Sequence, residues 1–231
     1  MKLDTLRDLN AARRERRAVV LVTDTQTGEE RLVPDHAAGA DPLAPEIGKR
    51  LASGRSGMLE DGRTFLTVHA PPPRLVVIGA VHISQALAPM ARIAGFDVLI
   101  IDPRTAFATP ERFPDVDLRA DWPEDVLRET PLDAYTALAA LTHDPKIDDF
   151  PLQAALQAGC FYVGALGSRK THGKRVERLG SAGLSTAELG RIHAPIGLNI
   201  GAQSPAEIAV SVLAEIISAL RAERRAERIA A

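Results

Sequence analysis

Polar or glycine-rich groups follow nearly every short apolar run in the last two-thirds of this sequence. Gly79-Ala80-Val81-His82 follows Leu75-Val76-Val77-Ile78, Asp102-Pro103-Arg104 follows Val98-Leu99-Ile100-Ile101, and Thr142-His143-Asp144 follows the run ending at Leu141. Gly164-Ala165-Leu166-Gly167-Ser168-Arg169-Lys170 and His193-Ala194-Pro195-Ile196-Gly197 continue the pattern. In open parallel sheets ligands bind just beyond the carboxyl ends of the strands, so this concentration points to a single ligand crevice. At Gly167-Ser168 a strand runs into a helix start, whose free N–H groups and positive dipole end suit an anion. Arg169, Lys170, Lys174, Arg175 and Arg178 make residues 167–180 the most cationic stretch, with a formal charge of +4. A phosphate-type ligand is the functional reading; a well-capped, solvated helix is the structural one.

Gly79 and Asp102, twenty-three residues apart, have dinucleotide-fold spacing: a glycine for a tight turn, then a carboxylate for a ribose diol. The second glycine of that fingerprint is Val81 here and the third position is Ser84, and a β-branched side chain obstructs close approach of a pyrophosphate. The spacing therefore supports the fold better than it supports NAD(P). Asp102 is either a ribose ligand or a surface carboxylate paired with Arg104. His82, His143 and His193 either converge for proton transfer or metal binding or are hydrogen-bonded structural histidines. No HxH, HExxH or CxxC spacing supports a metal. Cys160 opens an apolar run and reads as an inert core thiol rather than a reactive one. No nucleophile elbow or Walker A sequence occurs, so no catalytic residue is assigned.

The elements that must carry these groups follow from hydrophobic period. Residues 75–78 and 98–101 are continuous apolar runs, as expected for strands buried on both faces. Between them Ile83, Leu87, Met90 and Ala94 form a helical stripe closed by Gly95, completing a βαβ unit. Downstream, strands are expected at 116–120, 135–141 and 160–165, and helices at 123–127, 151–157 and 168–179. Ser185…Glu188 and Ser204…Glu207 have capping-box spacing; the second opens a long helix with Ile208, Val212, Ile216 and Leu220 on one face. A mixed-charge tail at 221–228 is expected to be solvent-exposed. Residues 1–70 differ, with a basic start at Arg13, Arg14, Arg16 and Arg17 that reads as a solvated face or a binding patch. Hairpins are expected at 18–33 and 57–69, with a loop at 34–45. Pro71-Pro72-Pro73 is a stiff linker, dividing a small, mostly β N-terminal subdomain (1–70) from an α/β, three-layer, Rossmann-like parallel-sheet domain (71–231).

Composition bounds the classes. The 231 residues carry 28 basic and 30 acidic side chains, a formal charge of −2, which argues against a general nucleic-acid binder. That balance is an average: residues 102–133 hold nine acids against four arginines, opposite in sign to 167–180. One cysteine excludes an internal disulfide framework and fits a reducing, cytoplasmic setting. The N-terminus has no apolar signal core, and no run of apolar residues is long enough to span a membrane.

The ordered motifs at 75–82, 102–107, 142–144, 162–170 and 192–211 resemble the XdhC/CoxI family of xanthine dehydrogenase accessory proteins, over residues 72–220. The resemblance implies a maturation factor for molybdenum hydroxylases. Such a factor binds the molybdenum cofactor (molybdopterin or its dinucleotide form), protects it during sulfuration and delivers it. The implied partners are an apo molybdenum hydroxylase and a cysteine desulfurase, with no nucleic acid and no membrane, and a homodimer is left open. The implied cofactor-binding residues are Gly79, His82, Asp102, Arg104, His143, Gly164, Gly167, Ser168, Arg169 and Lys170, with no metal ligand and no turnover of its own. Two features depart from the family: Val81 stands where it has a glycine, and its Gly-Ser-Ser-Pro-Arg-like and Gly-Gly/Cys-Glu segments are not found in residues 1–70. The alternative is an NAD(P)-dependent oxidoreductase on the same fold.

Overall fold

The computed structural model describes residues 2–222, and the chain divides after Pro71 into two compact units. The expected charged tail beyond residue 222 lies outside the described residues.

In the first unit α1 (Leu3–Arg14) precedes an antiparallel sheet of β1 (Val19–Asp24), β2 (Glu30–Pro34), β3 (Gly57–Met58) and β4 (Thr64–His69), in the order β2-β1-β4-β3. β1 is buried on both faces because its alternate side chains meet different partners. Val20 and Val22 pack with Ile47 of α2 (Ala44–Ser53), while Val19 packs with Leu9 and Ala12 of α1. Both hairpins form as the turn residues require. The segment 34–45, expected as loop, is instead a 3-10 turn over Asp35–Ala40 followed by the start of α2. Pro45 in its first turn and Gly54 in the left-handed C-cap conformation (φ 62°) bound α2. Neither α1 nor α2 was expected: α1 buries only Leu9 and Ala12, too short a stripe to stand out. Arg13 and Arg14 lie exposed in its last turn, where cations suit the helix dipole.

The second unit, Pro72–Arg221, is a three-layer α/β domain. Its strands are β5 (Arg74–Ile78), β6 (Asp97–Ile101), β7 (Asp117–Arg119), β8 (Thr136–Ala140), β9 (Tyr162–Ala165) and β10 (Ile192–His193). They pair in parallel in the order β10-β9-β8-β5-β6-β7, the doubly wound Rossmann arrangement. Leu75 and Val77 face α3 (His82–Ile93) and α8 (Pro205–Leu220), whose Leu87, Val212 and Ile216 are fully buried. Val76 and Ile78 face the opposite layer of α4 (Pro123–Glu129), α5 (Pro145–Gln157), α6 (Arg169–Ser181) and α7 (Thr186–Leu189). Both capping boxes are made, at Ser185/Glu188 and Ser204/Glu207. After β7 the chain returns to pair β8 with β5, so the strand order reverses at the carboxyl ends of β5 and β8. That is where a doubly wound sheet opens a ligand crevice.

Candidate functional site

The β5 end closes on itself. Gly79 has φ +117°, and a Cβ there would stand 2.9 Å from Thr142 Cγ2, so the glycine lets the β5 and β8 ends approach each other. Asp102, fully buried, takes the Ala80 N–H on Oδ2 at 2.7 Å and the Arg104 N–H, Nε and Nη2 at 3.0, 2.9 and 2.7 Å. Four donors fill the acceptor capacity of a carboxylate. Burial would raise the Asp102 carboxyl; the Arg104 guanidinium and the two amides outweigh it and hold the group below its ordinary value. Arg104 lies over the Phe107 ring at 4.7 Å, and Arg112 Nη1 donates to the Ala80 and Phe107 carbonyls. Of the two readings of Asp102, the pairing with Arg104 is present, but the carboxylate is buried rather than at the surface. Its oxygens, and the Ala80 N–H that a pyrophosphate would use, are already committed within the protein.

The β8 and β9 ends are different. Thr142 Oγ1 accepts from the Asp144 N–H and donates to Asp148 Oδ1 at 2.7 Å, while Asp144 caps α5 by accepting the Lys146 N–H. His143 between them is exposed, at a left-handed φ of +65° that non-glycine residues rarely adopt. Gly167 has φ +135°, and a Cβ there would be 3.2 Å from the Thr171 side chain and 3.6 Å from His143 Nδ1. The two strand ends therefore meet. Ser168 is the N-cap of α6, its Oγ accepting the Thr171 N–H, and Arg169 and Lys170 follow, exposed, in the first turn. Beneath them Arg175 is 2% exposed and donates through Nη2 to the Leu166 carbonyl at 2.9 Å. Arg178 is held by Asp149 at 2.7 and 3.0 Å. Between α5 and α6, His143, Asp148, Lys170, Lys174, Arg175 and Arg178 line a cavity of about 280 Å³.

His143, Gly167, Ser168 and Lys170 are thus brought together, with Arg169 beside them. Gly79, Asp102 and Arg104 form the neighbouring closed turn, although Arg104 still feels the charges of Asp144 and Asp148 across the crevice. His82 is exposed in the first turn of α3. Gly164 is not a crevice residue: it lies within β9, where a Cβ would meet Ile196 and the Tyr162 hydroxyl at 2.7 Å, so its glycine serves packing. His193 is tied down, stacked on Tyr162 at 4.6 Å with Nδ1 3.2 Å from Glu215, which also accepts from the Tyr162 hydroxyl and the Gly197 N–H. Among the described residues no group of His, Cys, Asp and Glu is placed to hold a metal ion. Cys160 is buried before β9, away from the carboxyl ends, and burial pushes its thiol up to about 12. Among the described residues no helix is long and apolar enough to cross a membrane.

Sequence reasoning passed over Asp148 and counted Arg175 only as one of five cations in the candidate phosphate-binding stretch. The available signal was position: Asp148 follows the inward-facing Ile147, and Arg175 lies one turn before the buried Leu179.

Residues 75–216 match the XdhC Rossmann domain family. The chain is 36% identical over 154 residues to a probable xanthine dehydrogenase subunit of Bacillus subtilis, covering 66% of this chain and 44% of that one. It is 34% identical over 178 residues to the molybdenum cofactor insertion chaperone PaoD of Escherichia coli, covering 77% and 49% respectively. The chain thus spans under half the length of these curated relatives. A Bacillus halodurans crystal structure described as a xanthine dehydrogenase shares the fold, with a TM-score of 0.68 and 24% identity over 97% of this chain and 68% of that one. With its doubly wound sheet and its matched strand-end motifs, the chain belongs to the XdhC family through its Rossmann domain.

Proposed function

We propose that this protein is a maturation factor for molybdenum hydroxylases of the xanthine dehydrogenase type, holding the molybdenum cofactor at the β8–β9 strand ends for sulfuration and insertion. The observation that carries the reading is the union of a helix N-terminus, exposed Arg169 and Lys170, and a buried guanidinium at one strand end beside the switch point. Molybdopterin ends in a phosphate, and this donor set fits that end of the molecule. His143 and His82 are available to hydrogen-bond the pterin. The protein's part would be to position the group and shield it. The names of the relatives support a client of the molybdenum hydroxylase class. A cysteine desulfurase as sulfur donor and a cytoplasmic setting belong to the same proposal.

The closed β5 turn weighs against an NAD(P)-dependent oxidoreductase, because Asp102 has no lone pair left for a ribose and Val81 narrows the approach to the turn. Released molybdopterin should be retained by the full chain through gel filtration, read by pterin fluorescence, and retention should fall on Arg169→Ala/Lys170→Ala. Saturable micromolar NAD or NADP binding with hydride transfer would overturn the proposal.

A further inference from the structure

Arg175 and Asp148 are both almost completely buried, at 2% and 1% exposure, and both line the cavity between α5 and α6. Opposite charges buried side by side ordinarily close on each other, because an unpaired ion in the interior is costly. These two do not. Arg175 spends only Nη2, on the Leu166 carbonyl, and its Nε and Nη1 have no partner. Asp148 accepts from the Thr142 hydroxyl on Oδ1, and the Thr142 and His143 N–H groups also favour its charge, while its Oδ2 has no hydrogen-bond partner. Burial works against both charges, pushing Asp148 up to about 6 and Arg175 down, while each charge favours the other. At the rim Arg178 is neutralised by Asp149, whereas Lys170 and Lys174 add positive charge to the same cavity. The cavity therefore has a cationic excess, two unused buried donor nitrogens and one unused carboxylate oxygen.

That combination is selective. An anion satisfies Arg175 but is repelled by Asp148, unless one proton lies between the carboxylate and the anion. A phosphate or phosphate monoester, whose second ionisation lies near neutrality, can share that proton. Sulfate and a phosphodiester cannot supply it. We propose that the α5–α6 cavity is a binding site for a phosphate group of the monoester class, held by Arg175 Nε and Nη1 and sharing one proton with Asp148 Oδ2. The inference deepens the cofactor reading, which uses the same Arg175 guanidinium and Lys170, but concerns the phosphate alone, whether that phosphate terminates molybdopterin, belongs to another monoester or is free.

The test is calorimetric titration of the full chain with inorganic phosphate and with sulfate at pH 8, with melting curves run in parallel. Wild type should bind phosphate saturably and prefer it to sulfate by about tenfold or more. Arg175→Gln should weaken phosphate binding roughly tenfold to a hundredfold, and Lys174→Ala a few-fold. Asp148→Asn keeps the Thr142 hydrogen bond and removes the repelling charge, so sulfate should now bind nearly as well as phosphate. If Arg175→Gln does not fold, that change of preference decides the matter by itself. Absence of saturable phosphate binding would mean that water alone bridges the two charges and would overturn the site. Equal affinity for sulfate and phosphate in wild type, or undiminished binding in folded Arg175→Gln, would overturn it equally. Released molybdopterin that displaces phosphate identifies the cofactor as the source; phosphate binding without displacement assigns the site to another phosphate. The cofactor reading fails separately, if molybdopterin is not retained while phosphate still binds.

Discussion

Two strand ends of the Rossmann domain look alike in sequence and differ in how they spend their polar groups. At the β5 end the Asp102 carboxylate takes the Ala80 N–H and the Arg104 guanidinium, and the Arg112 guanidinium is spent on the Ala80 carbonyl. At the β8–β9 end Asp148 Oδ2 and Arg175 Nε and Nη1, equally buried, are left over. A glycine turn followed by an acid is therefore not by itself a nucleotide site: the same residues can build a self-satisfied brace. Capacity for a ligand is better judged by which buried donors and acceptors remain unpaired.

The largest expected effect separates the two ends by stability. Asp102→Asn removes the charge that four donors share and leaves Arg104 half-buried beside a neutral amide. It should cost about 2–4 kcal/mol in denaturant unfolding at pH 7 and leave phosphate affinity unchanged. Because the folded-state value of Asp102 is depressed, its contribution is present above the unfolded carboxylate value and is lost as pH falls through the folded one. The cost of Asp102→Asn should shrink accordingly in acid. A cost below 1 kcal/mol at neutral pH would mean that the brace is not what holds the β5 end.

Asp148 should behave in the opposite sense. Its folded value is raised to about 6, so the relative stabilisation from its bound proton is complete below the unfolded value near 4 and is lost as pH rises through 6. Asp148→Asn should therefore melt higher than wild type at pH 8, by up to about 3 kcal/mol, with the advantage gone below pH 4. Wild-type protein that outlasts Asp148→Asn at pH 8 would show that Arg175 compensates the carboxylate fully.

Gly79→Ala comes next. It forces a left-handed φ on a residue with a Cβ and pushes that Cβ against Thr142, at a cost of about 1–3 kcal/mol. Gly164→Ala should cost a similar amount by crowding Ile196 and Tyr162, without touching phosphate binding. The smallest stability effect is expected for Arg169→Ala/Lys170→Ala, within about 0.5 kcal/mol of wild type because both side chains are exposed.

How far the structure was legible follows from where each signal resides. The buried parallel strands were readable because residues 75–78 and 98–101 are apolar on both faces, and Ser185/Glu188 and Ser204/Glu207 because capping boxes are local. Helices α1 and α2 were not: α1 buries two residues and α2 begins inside a segment whose Pro, Gly and Asp content reads as loop. In the site, Gly167, Ser168 and Lys170 were legible as a strand end meeting a helix start. Asp148 and Arg175 were not, because burial of a charged side chain is decided by the neighbouring helix rather than by its own segment. Gly164 misled for the same reason: only the packed Ile196 shows that its missing side chain makes room for protein rather than for ligand.

The central claim is that the anionic end of the cofactor goes to the β8–β9 end and not to the β5 turn. It is tested most directly by the affinity of the full chain for released molybdopterin, measured for wild type, Arg169→Ala/Lys170→Ala and folded Asp102→Asn. Affinity should fall about tenfold or more in the double variant and stay at the wild-type value in Asp102→Asn. Loss of binding in Asp102→Asn, with the double variant unaffected, would place the cofactor's phosphate at the β5 turn and contradict the account.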